Sequence, residues 1–277
     1  MRARRIAPIL AIAIALVLCC RGRAVAGPPY QTDDPDPTPY RHYEIYINSQ
    51  YSHDADSISG TIPSLEINYG LMPNVQFSVT TSLAGGRLTG RPWYVGAGEA
   101  EVALKMRFIP ETGSMPQISF YPAVVVPSGS LKASTDETET KIFLPLWAQK
   151  SIGPWTIFGG GGWWHNPGAG NRDYTFEGLA VERDVNDSLT VGAEIYGNSA
   201  PTMDIGGSTS FGVGLIKSLG EQHKVLFSIG RAFGRANTLS TYAAYELYLG
   251  PKSKETRKNS EAGASPSASA ASVRAIP

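Results

Sequence analysis

The sequence predicts an all-β protein, an antiparallel transmembrane β-barrel of about 12 strands. Three observations carry that expectation. The chain opens on an export signal, its body alternates apolar and polar residues in short stretches, and no later apolar run approaches the ~20 residues that a membrane helix needs.

Residues 1–26 have the form of a cleavable signal peptide. Arg2, Arg4 and Arg5 make a basic start, Ile6 to Leu18 is continuously apolar, and Ala24-Val25-Ala26 offers small residues for cleavage before Gly27. Cleavage removes Cys19 and Cys20, the only cysteines. The mature chain therefore has no disulfide, thiolate metal site or cysteine nucleophile. Removing five arginines leaves 19 basic against 24 acidic residues, and residues 27–250 alone carry 14 against 22. An acidic barrel argues against nucleic acid as a partner and favours cations in a lumen.

Residues 27–41 form a Pro/Asp-rich segment that cannot pair as a central strand. Its Asp33, Asp34 and Asp36 would attract a cation or fold into the lumen as a partial plug. The spacing matches no calcium loop, and no metal or cofactor is expected.

The barrel is expected over 42–249, with strands near 42–53, 61–70, 74–84, 96–109, 116–126, 140–150, 154–165, 173–183, 188–197, 208–217, 223–232 and 239–249. In 74–84, Val75, Phe77 and Val79 oppose Gln76, Ser78 and Thr80. In 96–109, Ala100, Val102, Leu104, Met106 and Phe108 oppose Glu99, Glu101, Lys105 and Arg107. In the last strand Ala243, Tyr245, Leu247 and Leu249 oppose Tyr242, Glu246 and Tyr248.

Period-two alternation also fits a soluble sandwich. Link lengths favour the barrel: odd links run roughly 6–13 residues and even links roughly 3–6, as outer loops and periplasmic turns do. Trp93, Tyr94, Trp147, Trp155, Trp163 and Trp164 lie near strand ends, where interfacial aromatic girdles sit, with packing inside the barrel as the alternative for some of them. Residues 250–277 read as a disordered, low-complexity periplasmic tail that could touch the cell wall.

Lipid-facing charge is costly, so strand carboxylates are expected to point inward. Glu44, Glu66, Glu99, Glu101, Glu177, Glu194 and Glu246, with Lys105 and Arg107, are candidates for a charged constriction or for a network bracing the wall. Tyr121 and Tyr242 would add inward aromatic surface. Gly159 to Gly162 lacks the Lys-Ser/Thr of a phosphate loop and suggests close packing of an inner segment.

His42, His53, His165 and His223 are the only histidines. His42 and Ser49 have opposite strand parity, and no other histidine has a clear serine partner, so no catalytic residue is assigned. The expected function is an outer-membrane channel for small solutes. A non-transporting barrel with a filled lumen is the alternative, and a hydrolase is disfavoured.

Several stretches carry a family resemblance. They are Gly27 to Pro37 (GPPYQTDDPDP), Tyr40 to Glu44 (YRHYE), Glu66 to Gly70 (EINYG), Tyr121 to Gly129 (YPAVVVPSG), Phe143 to Lys150 (FLPLWAQK) and Gly153 to Gly168 (GPWTIFGGGGWWHNPG). Over 27–249 the chain resembles a family of outer-membrane transporters associated with the MetA pathway of phenol degradation. The resemblance implies a barrel in the bacterial outer-membrane bilayer, inserted by the barrel-assembly machinery, passing small aromatic or hydrophobic molecules. The long tail after the closing strand, and Ala244 where glycine is typical, depart from the usual barrel pattern.

Overall fold

In a computed structural model of the chain, the described residues are 28–127, 139–233 and 237–251. The expected signal peptide, most of the 127–139 loop and the tail beyond 251 lie outside them.

The strands are β1 (Tyr43–His53), β2 (Ser57–Met72), β3 (Val75–Leu88), β4 (Tyr94–Ala97), β5 (Ala100–Ile109), β6 (Gln117–Phe120), β7 (Ala123–Val126), β8 (Lys141–Ile152), β9 (Trp155–His165), β10 (Tyr174–Asn186), β11 (Leu189–Asn198), β12 (Ser208–Ser218), β13 (His223–Phe233) and β14 (Leu239–Leu249). They make a closed barrel of twelve staves, because β4 and β5 both line β3, and β6 and β7 both join β5 to β8. The ring closes where β1 pairs with β14, from Tyr43 opposite Leu249 to His53 opposite Leu239.

Both interruptions have a local cause. Between Thr80 opposite Glu101 and Leu83 opposite Ala97, three residues face two, which is a β-bulge. Between β6 and β7, Pro122 has no N–H to give. It only accepts from Leu104 N (3.1 Å), while Tyr121 N donates to the Pro145 carbonyl (3.2 Å).

The molecule is inside-out. Asn48, Asn68, Gln76, Ser78, Lys105, Gln149, Thr156 and Glu246 are buried, whereas Leu146, Val213, Phe227 and Ile229 are 40–53% exposed. Closure pairs the backbone and removes the sheet edges, so the outer face is free to be apolar toward lipid. Outward aromatics gather at the rims: Tyr43 against Tyr69 and Trp155 under Arg183 at the short-turn end, Trp93 and Trp163 at the loop end. Trp147 and Trp164 take the inward alternative to the girdle. Pro145, Trp147 and Gln149 share the inward parity of β8, so Trp147 is only 2% exposed.

The expected alternation of links fails at the first and fourth, and the third and eleventh are shorter than expected at five residues each. The first is only Asp54–Asp56, because the Ser/Gly-rich stretch from Ser57 extends β2 instead of looping. Asp54 makes that turn tight, accepting from Asp56 N, Ser57 N and Ser57 Oγ at 2.7–2.9 Å. Slight burial pushes its carboxyl up, but these bonds outweigh it and hold the pKa below the usual value. The fourth link, residues 110–116, is longer than a simple turn. Glu111 folds back there to meet Lys150 (3.1 Å) and Ser151 N (2.9 Å).

Candidate functional site

A strap formed by residues 28–39 lies inside the barrel and crosses its lower half. Its prolines remove backbone donors and prevent pairing, so its remaining polar groups must find wall side chains. Glu194 on β11 accepts from Gln31 N (3.1 Å), Thr32 N (2.9 Å) and Thr32 Oγ1 (2.9 Å). On β5, Lys105 pairs with Asp33 (3.1 Å) and Asp34 (3.8 Å), and Arg107 pairs with Asp36. Gln76 accepts from Thr38 N (2.7 Å), Glu44 accepts from Thr38 Oγ1 (2.9 Å), and Ser228 Oγ donates to the Pro29 carbonyl (2.6 Å). The chain leaves the bore past Gly70, where Arg41 N donates to the Gly70 carbonyl (2.8 Å). Arg41 turns it into β1 with φ 65°.

Four glycines make room for the strap, and one of them is Gly70, where a Cβ would lie 2.0 Å from the Pro39 carbonyl oxygen. A Cβ on Gly178 would lie 2.3 Å from Thr32 Oγ1, one on Gly192 2.4 Å from the Tyr30 hydroxyl, and one on Gly214 2.9 Å from the Tyr30 ring. Tyr30 fills that space against Phe158, with ring centroids 6.1 Å apart. The tetraglycine at 159–162 does something else. Cβ atoms there would strike neighbouring staves, at Leu146 O (2.0 Å) from Gly160 and Phe176 O (2.3 Å) from Gly161, rather than an inner segment. Gly178→Val is therefore expected to lift the strap from the wall and raise single-channel conductance, whereas Gly113→Ala, where nothing crowds the added carbon, should leave it unchanged.

The expected inward residues come together with one exception. Glu44, Glu66, Glu101, Lys105, Tyr121 and Tyr242 share a cavity of about 220 Å³ with Asp33, Asp34 and Asp36. Glu99 pairs with Lys141 (2.9 Å), Glu246 with Lys224 (2.8 Å), and Arg107 also reaches Gln117 (2.9 Å). Tyr121 donates to Ser78 (3.0 Å) and covers the Lys105 ammonium at 4.7 Å. Glu177 is the exception, since it shares the exposed face of Thr175 and Leu179 near the loop end of β10.

Sequence reasoning missed Glu182, Lys224 and the aromatic wall. Glu182 is fully buried beside Tyr30, and no described residue hydrogen-bonds either of its oxygens. Its place in the charged run Glu182-Arg183-Asp184 before a turn disguised it; only strand parity with Ala180 and Gly178 could have found it.

Above the strap the bore widens toward the loops. One side is a Gly/Ser/Thr-lined cavity of about 1030 Å³, with Ser52, Thr61, Ser208, Ser210 and Ser240 on its wall. The other is an aromatic chamber of about 500 Å³ lined by Phe143, Trp147, Trp164, Tyr174, Phe176 and Tyr196, with Gln31, Asp33 and Glu101 among its polar groups. Trp164 stacks between Phe143 (4.4 Å) and Tyr174 (5.9 Å), and Phe176 meets Phe143 and Trp147 edge-on at 6.3 Å. Among the described residues, the strands and the strap place at least ten carboxylates in the bore (Glu44, Glu66, Glu99, Glu101, Glu182, Glu194, Glu246, Asp33, Asp34, Asp36) against the four cations Lys105, Arg107, Lys141 and Lys224. The bore is therefore acidic.

The four histidines meet the Tyr40 carbonyl (His42), the Ser57 carbonyl (His53), Asp173 (His165) and the Tyr245 hydroxyl (His223).

The sequence matches no protein-family model and no curated protein. Among solved structures, the fold is similar to an outer membrane channel from Pseudomonas putida F1, with 14% identity over 82% of this chain and 100% of that one (TM-score 0.63). It is also similar to the KdgM porin, with 10% identity over 73% and 98% of the two chains (TM-score 0.52). The translocator domain of the autotransporter NalP from Neisseria meningitidis is likewise similar, at 10% identity over 76% and 88% (TM-score 0.50). At such identities the likeness is one of fold, that of outer-membrane β-barrels. Channels and a translocator domain both share it, so function must be argued from the bore.

Proposed function

We propose that the chain is an outer-membrane channel for small solutes, exported with cleavage before Gly27 and narrowed by the 28–39 strap acting as a partial plug. The observation that carries this reading is the manner in which the bore is filled. A solid structural barrel interlocks the side chains of its own wall. Here a separate segment fills the lower bore through ion pairs and hydrogen bonds that water can replace, and open cavities lie above it. Insertion by the barrel-assembly machinery and cell-wall contact through the tail belong to the same proposal. The resemblance to phenol-pathway transporters supports small aromatic or hydrophobic solutes.

Charge sets the expected ion preference. At least ten carboxylates against those four cations raise the local cation concentration and oppose anion entry. Refolded residues 27–277 in a planar bilayer under a potassium chloride gradient should give discrete steps whose reversal potential shows cation preference. A reversal potential of the anion-selective sign would contradict the proposal.

The alternative of a filled, non-transporting barrel draws on the buried Lys105–Asp34 contact, both side chains being no more than 5% exposed. A folded barrel that stays silent with and without the strap would favour it.

A further inference from the structure

We infer that the aromatic chamber above the strap binds small organic ammonium cations, an inference that rests on the channel reading and names the solute class of that bore. Aromatic faces carry negative electrostatic potential and attract cations that have shed part of their water. Phe143, Tyr174 and Phe176 bring such rings together on one wall, with Trp164 stacked between the first two and holding them in place. A neutral aromatic would use the same rings, so the discriminating feature is the charge beside them.

That charge is Glu101. It lines the chamber, and no described residue pairs or hydrogen-bonds its carboxylate. The nearest cations are already committed, Lys105 to Asp33 and Asp34, and Lys141 to Glu99. A net negative site with aromatic walls rejects benzoate-like anions and favours a cation over its neutral isostere. About 500 Å³ accommodates an alkyl- or benzylammonium ion with some water. Trp147 adds one directional element. It is 2% exposed, it lines the chamber, and its indole N–H has no acceptor among the described residues. A hydroxyl or carbonyl oxygen on the cation would satisfy that donor.

The test is calorimetric titration of refolded residues 27–277 with benzyltrimethylammonium, benzyl alcohol and benzoate, compared with Glu101→Gln, Glu101→Asp and Trp164→Leu. The ammonium ion should bind about tenfold or more tighter than the alcohol, a difference of about 1.4 kcal/mol, and benzoate weakest. Glu101→Gln should erase the preference, Glu101→Asp should keep most of it, and Trp164→Leu should weaken the cation by releasing the Phe143 and Tyr174 rings that it holds. Equal affinities for the three ligands, or a preference unchanged in Glu101→Gln, would overturn the inference. If a variant fails to fold, the three-ligand series on the unaltered chain still decides. Conductance separates the two claims: current without ammonium preference sinks this inference alone, and ammonium binding without current sinks the channel reading instead.

Discussion

Deleting residues 28–39 is expected to raise single-channel conductance severalfold while the barrel still folds. The strap's contacts reach β1, β3, β5, β11 and β13, so it blocks much of the lower bore rather than lining one wall. Twelve staves without it enclose a bore between those filled by side chains and those of wide porins. The deletion also frees Lys105, Arg107 and Glu194 to be hydrated, and the cation preference should persist because at least seven wall carboxylates remain. Planar-bilayer recording of the deleted and intact chains checks this. Equal conductance would mean that the strap does not control passage.

Lys105→Met should produce the second large effect. Lys105 is 4% exposed and stands between Asp33 and Asp34, the second of these 2% exposed. Removing a buried partner leaves its counter-charges uncompensated, a loss of about 3–5 kcal/mol. Asp33 keeps some solvent contact, so the lower end of that range applies. The strap contains both stranded carboxylates, so most of this cost is relieved if it swings out. The variant should therefore conduct like the deletion, with a lowered unfolding temperature in gel-shift assays. An additional Asp33→Asn, Asp34→Asn change should restore low conductance, because the neutral amides no longer repel. Low, unaltered conductance in Lys105→Met would show that the ion pairs do not hold the strap.

Much of the wall was legible. A membrane barrel imposes period two on both of its faces, so the parity of Val75 to Thr80 and of Ala100 to Phe108 survives into the fold. Lys105 and Arg107 could be placed on the inward face for the same reason. Their partners Asp33 and Asp36 could not, because a pairing across some 70 residues leaves no local periodic trace. Single glycines such as Gly178 and Gly192 gave no hint that they make room for the strap, whereas the conspicuous tetraglycine serves contacts between staves. The direction of Trp147 stayed open between rim and interior because Trp is common at interfaces, and parity with Pro145 decides it. The chamber draws its rings from the neighbouring staves β8, β9, β10 and β11, and the register that sets Phe143 opposite Trp164 and Trp164 opposite Tyr174 is not written in any one strand's alternation.

The most direct test of the strap's role is a disulfide between Thr32→Cys and Gly178→Cys in residues 27–277, which contain no other cysteine. A Cβ on Gly178 lies 3.1 Å from the Thr32 Cβ, slightly inside the roughly 3.5–4.5 Å span of a disulfide. The bond should form on oxidation of the folded barrel and lock conductance at the low level even when Lys105→Met is present, with reduction releasing the high-conductance state. Failure of the pair to cross-link in the folded protein, or high conductance in the cross-linked form, would contradict a strap that sits in the bore and governs passage.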